Sequence, residues 1–201
     1  MSEDSPQTTN QNDPIWVEKN EPRDVLYRLK RGLAGYVSYL AACEMNEAFS
    51  EYILYEPILR ILTARGFKVE CEYPVDLNDN QNQAGDKKRI DFSATSLVKP
   101  DLKFAIEVKW AKKESLDVRN DYIKLQWFKR NVANSRSFLC VFGRKTFIEN
   151  PQLQYPESHT EAEDDFLPKG DIRIADLGKT KYGCRIYELK HKENKNAPKG
   201  K

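Results

Sequence analysis

Asp91, Glu107 and Lys109 have the types and the spacing to do chemistry on a metal ion. In residues 103–111 apolar side chains alternate: Phe104, Ile106, Val108 and Trp110 fall on one side, Lys103, Glu107 and Lys109 on the other. That is the period-2 signature of a half-buried strand. Residues 88–94 alternate in the same way, with Ile90 and Phe92 opposite Arg89 and Asp91. Between the two runs, Val98-Lys99-Pro100-Asp101 suits a turn. Facing residues of an antiparallel pair are symmetric about the turn, and Asp91 and Glu107 centre on Lys99. The expectation is a hairpin in which Asp91 sits beside Glu107 and Lys109 follows two residues along the same face. Facing Cβ atoms lie about 4.5–5.5 Å apart. Two carboxylates that close repel one another unless a cation or a proton lies between them. A divalent ion with an amine beside it is the chemistry this pattern offers.

Other elements must position those groups. Residues 46–66 predict a helix capped by Asn46 and stopped at Gly66, with Leu54, Ile58, Ile61 and Leu62 as its buried stripe. Glu47 and Glu51 lie on that side, and Glu56 is rotated away. Residues 67–75 alternate as a first strand, and 79–86 form a polar loop. After the hairpin, residues 116–134 predict a helix with Val118, Tyr122, Leu125 and Phe128 as apolar positions. Residues 137–143 are a short apolar run expected to be a buried strand, paired in parallel after the crossover helix. Upstream, residues 23–42 carry Leu26, Leu29, Leu33, Val37 and Leu40 at helical spacing, weakened by Gly32 and Gly35. Core packing is the role expected of this helix. Residues 146–170 hold three prolines and the acidic group 161–165, read as a solvated loop. Residues 171–177 and 182–189 predict a hairpin turning at Gly178-Lys179.

The order of these elements resembles the PD-(D/E)XK nuclease superfamily: a Glu-bearing helix, a strand, a strand with Asp91, a strand with Glu107-Val108-Lys109, then a helix. The resemblance spans residues 46–143, about half the chain, and Ile90 stands where that family has the Pro of its name. It implies an α/β fold with a restriction endonuclease-like core, a central mixed β-sheet flanked by helices in the order αβββαβ. The N-terminal helix and a C-terminal hairpin would be additions. It also implies a metal-dependent nuclease acting on nucleic acid, DNA by family habit. Mg2+ or Mn2+, hard cations that prefer oxygen ligands, would be held by Asp91, Glu107, the Val108 carbonyl and a helix Glu. Glu51 is the carry-over for that Glu, with Glu47 and Glu56 as rivals. Lys109 would act on the attacking water or on transition-state charge. Lys124 or Gln126 would support the site. The alternative is a catalytically inactive module of the same fold, binding nucleic acid or a protein partner.

Composition sets the frame. A chain of 201 residues with 39% hydrophobic content suits one domain, expected over residues 21–190 between disordered tails at 1–20 and 191–201. No apolar run reaches membrane-span length, and the polar start is unlike a signal peptide. Cys43, Cys71, Cys140 and Cys184 form no CxxC pair and His159 and His191 stand alone, which argues against zinc. The cysteines are read as free, buried thiols of a cytoplasmic protein. The net charge of +2 is uninformative, but residues 109–145 hold ten Lys or Arg against three Asp or Glu. Residues 147–176 reverse this, with two against eight. A basic block beside an acidic metal site suits a phosphodiester substrate, and Lys112 and Lys113 are candidate nucleic-acid contacts within it. Trp110, Tyr122, Trp127 and Phe128 are interleaved with these charges and are expected mostly in the core. A homodimer or a partner protein is left open.

Overall fold

A computed structural model describes residues 22–77, 88–160 and 164–191. In chain order it opens with helix α1 (Pro22–Ala42), 3-10 turns at Asn46–Ala48 and Glu51–Leu54, and α2 (Tyr55–Thr63). Strands β1 (Phe67–Pro74), β2 (Arg89–Ser96), β3 (Lys103–Ala111) and β4 (Ser115–Asp117) follow, then α3 (Arg119–Asn131), β5 (Ser135–Arg144) and α4 (Lys145–Ile148). The chain continues through β6 (Gln152–Gln154), β7 (Asp164–Pro168), β8 (Arg173–Ala175) and β9 (Tyr182–His191). The main sheet runs β1-β2-β3-β5-β9-β7, with β8 also paired to β9; β4 and β6 form a separate ribbon. Only β3–β5 is parallel within the main sheet; its other described pairs are antiparallel. The architecture is α/β, a mixed and mostly antiparallel sheet flanked by helices.

The two sheet faces hold two cores. On one, α1 and α2 cover Phe92, Phe104, Ile106, Val108, Phe138 and Phe142. On the other, α3 packs Tyr122, Leu125 and Phe128 over Ala105, Leu139 and Val141. The expected half-buried β3 is therefore covered on both faces, and Glu107 is only 1% exposed. The apolar stripe expected of α1 is buried throughout. Gly32 has a role there: a Cβ on it would meet Ile61 Cδ1 of α2 at 2.7 Å, so the bare backbone lets the helices approach closely. Among the described residues, no helix is long and apolar enough to cross a membrane.

Several expected boundaries move. The helix expected over 46–66 begins only at Tyr55, and Asn46 is not its cap. Phe49 and Ser50 are extended. The reason is Pro57: inside a longer helix it would break a hydrogen bond and clash with the preceding turn, whereas in the first turn of α2 its missing N–H is harmless. The stop at Gly66 holds, with φ at +75°, which glycine adopts at no steric penalty. The helix expected from Leu116 starts at Arg119, because residues 115–117 pair with β6. It ends before Asn134, which turns the chain at φ +57°.

The C-terminal hairpin turns where expected, since Ala175↔Tyr182 and Arg173↔Cys184 centre on Gly178-Lys179. It is not an appendage, however: β9 enters the sheet between β5 and β7. Residues 146–170 contribute to α4, β6 and β7, and Asp164 of the acidic group, expected as a solvated loop, lies in β7 and is ion-paired to Lys129 at 2.8 Å. Cys140 and Cys184 are buried free thiols, but Cys43 and Cys71 are exposed. His191, assigned to the basic tail, closes β9. The tail at 1–20, the rest of the basic tail, the 79–86 loop and residues 161–163 lie outside the described residues.

Candidate active site

The β2–β3 hairpin has the expected register. Ser93↔Ala105 and Phe92↔Ile106 are paired, and one further step sets Asp91 against Glu107. Pairing with β2 stops there. Alternate N–H groups of a strand point to the same edge, so those of Val108 and Trp110 face the side β2 has vacated. Carboxylates take them up. Asp91 Oδ2 accepts from Val108 N at 2.7 Å, and Glu51 Oε1 accepts from Trp110 N at 3.1 Å. The pleat directs the Val108 carbonyl to the same edge as its N–H.

Helix α3 completes the arrangement from the Glu107 face. Lys124 Nζ lies 2.7 Å from Glu107 Oε1 and donates to the Arg89 carbonyl at 3.0 Å. Lys109 Nζ lies 2.7 Å from Asp121 Oδ2, and Asp121 Oδ1 is 3.7 Å from Lys124 Nζ. Glu107, Lys124, Asp121 and Lys109 thus form a chain of alternating charge under α3. Tyr55 of α2 donates to Asp91 Oδ1 at 2.6 Å and lies 3.0 Å from Glu72 Oε1. Glu72 itself holds φ at +54°, an uncommon conformation for a residue with a Cβ.

Electrostatics here are dominated by burial. It pushes the Glu107 carboxyl well above its usual range, and the Asp91 charge adds to this while Lys124 opposes it. Asp91 is raised by burial against the lowering effect of the Tyr55 and Val108 bonds. Glu51 is likewise raised by burial, against the Trp110 N–H and the Lys109 charge. Burial pulls both lysines down, but Asp121 for Lys109 and Glu107 for Lys124 outweigh it, and both end above the ordinary lysine value. Burial, then Asp91, also raises the Tyr55 hydroxyl, which stays a donor.

The carboxyls of Glu51, Asp91, Glu107 and Asp121 outnumber the Lys109 and Lys124 ammonium groups, and burial pushes Glu51, Asp91 and Glu107 toward their protonated forms. Mg2+, a hard ion, characteristically takes one or two protein carboxylates and keeps its remaining positions for water and phosphate oxygen. Asp91 and Glu107 are the carboxylates that could supply them, with Asp91 already accepting from Tyr55 and Val108 and Glu107 paired with Lys124. A larger cage is absent, for among the described residues no group of three or more His, Cys, Asp or Glu side chains is placed to hold a metal.

Of the rival glutamates, Glu47 is exposed, and Glu56 is exposed and paired with Arg60; only Glu51 reaches the site. Of the two α3 candidates, Lys124 is in it, whereas Gln126 donates to the Tyr122 hydroxyl at 3.1 Å. Lys112 and Lys113 are exposed in the bend after β3. Trp110 packs at 4.8 Å from both Phe49 and Phe142, and Tyr122 and Phe128 are buried, so core packing claims these rings. Asp121, Tyr55 and Glu72 were not anticipated. Asp121 left one trace in the sequence, its position one helical turn before Lys124; Tyr55 and Glu72 left none. No family model, curated protein or solved structure matches this chain.

Proposed function

We propose that this chain is a metal-dependent nuclease with a restriction endonuclease-like core, hydrolysing phosphodiester bonds of nucleic acid, DNA first. The observation that carries the reading is the position of Asp91 one step beyond the Phe92↔Ile106 pair, opposite the buried Glu107, with the Lys109 ammonium on the same face. Asp91, Glu107 and the Val108 carbonyl would hold Mg2+ or Mn2+, which would supply an acidified water and neutralise phosphate charge. Lys109, kept protonated by Asp121, contributes positive charge to the transition state rather than accepting a proton. Glu51 and Tyr55 fix the geometry: one anchors the β3 backbone at Trp110, the other orients Asp91. The exposed thiols Cys43 and Cys71 suit a reducing, cytoplasmic setting.

Incubation with plasmid DNA tests the proposal. Nicking should require added Mg2+ or Mn2+, stop with chelator, and vanish in Asp91→Ala and Lys109→Ala variants that retain the wild-type circular dichroism spectrum. Equal activity in all three proteins would refute it. A second reading, a non-catalytic binding module, draws on the Lys124–Glu107 and Lys109–Asp121 pairs, which bond these carboxylates without a metal. Its signature is metal-independent binding of nucleic acid or a protein, steeply salt-dependent in the first case.

A further inference from the structure

Three loops meet at the end of the sheet beside the candidate site. Gly143 of β5 pairs with Ala111 of β3, and a Cβ on Gly143 would meet the Ala111 carbonyl at 2.8 Å, so the two strands leave the sheet in close contact. One step further, Lys112 and Arg144 are neighbours. Arg144 in turn pairs with Tyr182 of β9, and Lys145 N donates to the Lys181 carbonyl at 2.9 Å. Residues far apart in sequence thus converge: Lys112 and Lys113 after β3, Arg144 and Lys145 at the end of β5, Lys179 and Lys181 before β9, all exposed. Over residues 112–114, 144–149 and 176–181 these six cations stand against three carboxylates, Glu114, Glu149 and Asp176. Glu149 lies 3.4 Å from Lys145, and Asp176 lies 2.9 Å from Lys181. Among the described residues, Lys112, Lys113, Arg144 and Lys179 make no ion pair.

Like charges side by side on neighbouring strands are destabilising. At the opposite end of the sheet the fold relieves such crowding itself: Arg136, Lys169 and Lys190 converge on the buried Glu188 at 2.7, 3.1 and 3.4 Å. Among the described residues no carboxylate does this for Lys112 and Arg144, which leaves the relief to solvent ions or to an anionic partner. The shape of the patch selects the partner. Its cations step across β3, β5 and β9 at the strand spacing of about 4.8 Å, about 10 Å over two steps. That is the length of about three nucleotides at an axial rise of about 3.4 Å per strand. Among the described residues, Leu177 is the one large apolar side chain exposed in these loops, so the patch lacks the apolar face that seats a basic surface in a bilayer. A line of cations fits a chain of phosphates. The line also begins at the candidate site, since Lys112 follows Lys109 by three residues, about 10 Å of strand. We propose that this ridge is a track for a nucleic-acid backbone, carrying the strand away from Asp91 and Glu107 across the ends of β5 and β9. It rests on the reading of nucleic acid as the partner, but not on its cleavage.

Fluorescence anisotropy of the full chain on a short labelled duplex tests it across a salt series, in chelator so that no cleavage intervenes. The Arg144→Ser/Lys179→Ser double variant should reduce the slope of log binding constant against log salt by about 1.8, from about 0.9 per phosphate. Arg60→Ser/Lys68→Ser removes the same charge from α2 and β1, on the side of the site away from β5 and β9, and should keep the wild-type slope. An unchanged slope in the first variant, equal losses in the two, or no binding by the wild type overturns the proposal. Tighter binding to phosphatidylserine vesicles than to the duplex, lost in the first variant, overturns it in favour of a membrane. If plasmid is nicked and the slope does not move, the ridge falls and the nuclease reading stands. If the slope falls and no plasmid is nicked, the ridge stands without it.

Discussion

Lys124 Nζ sits 2.7 Å from Glu107 Oε1, and the two side chains are 13% and 2% exposed. An ammonium thus holds the position on Glu107 that a divalent ion would claim. Removing one partner of a buried pair costs about 3–5 kcal/mol, because the other charge is left uncompensated. Lys124→Met should therefore lower stability by about 3 kcal/mol without metal. Mn2+ should restore it, raising the variant's melting temperature more than the wild type's. Equal Mn2+ shifts in the two proteins would exclude competition between lysine and metal.

Asp121 pairs with Lys109 at 2.7 Å. In Asp121→Asn the ammonium keeps its charge but loses its anchor. Cleavage should fall about 10- to 100-fold in kcat with KM little changed, as for an interaction made mainly in the transition state. Steady-state kinetics on a short duplex would show it, and a change confined to KM would count against the role.

Glu107 carries a pH signature. Its folded-state pKa is raised well above 4.5 by burial, so between the two values the folded state binds more protons than the unfolded chain. Its contribution to stability is full below the unfolded pKa and is lost as pH rises through the folded one. Metal-free wild type should thus lose stability relative to Glu107→Gln as pH climbs from the ordinary carboxylate range toward neutrality. Urea denaturation of both proteins across that range checks this, and parallel curves would contradict it.

Lys112 and Lys113 are exposed beside the site. If both contact phosphates, the Lys112→Ala/Lys113→Ala double variant should reduce the slope of log binding constant against log salt by about 1.8, from about 0.9 per phosphate. An unchanged slope would move the nucleic acid elsewhere on the surface.

What could be read from the sequence was what local pattern determines. The alternation around Asp91 and Glu107, with a Pro-Asp turn between, fixes a register that the Phe92↔Ile106 pair shares. Glu51 meets the Trp110 N–H from a 3-10 turn rather than from the helix expected over 46–66, because Pro57 does not let that helix run through. Asp121 was passed over since charged residues on a helix usually face water; only its contact with Lys109, twelve positions earlier, makes it part of the site. The insertion of β9 beside β5 depends on pairing between residues 38 to 50 positions apart, which periodicity cannot report.

That insertion governs how the molecule can be made. A ribosome that has released residues up to Ala175 has released β5 with its β9-facing edge bare, and β7 with no strand to pair against. Bare edges recruit other chains. A nascent or clipped chain lacking 182–191 should consequently be a substrate for chaperones and aggregation, and sheet closure should be a late event of biosynthesis.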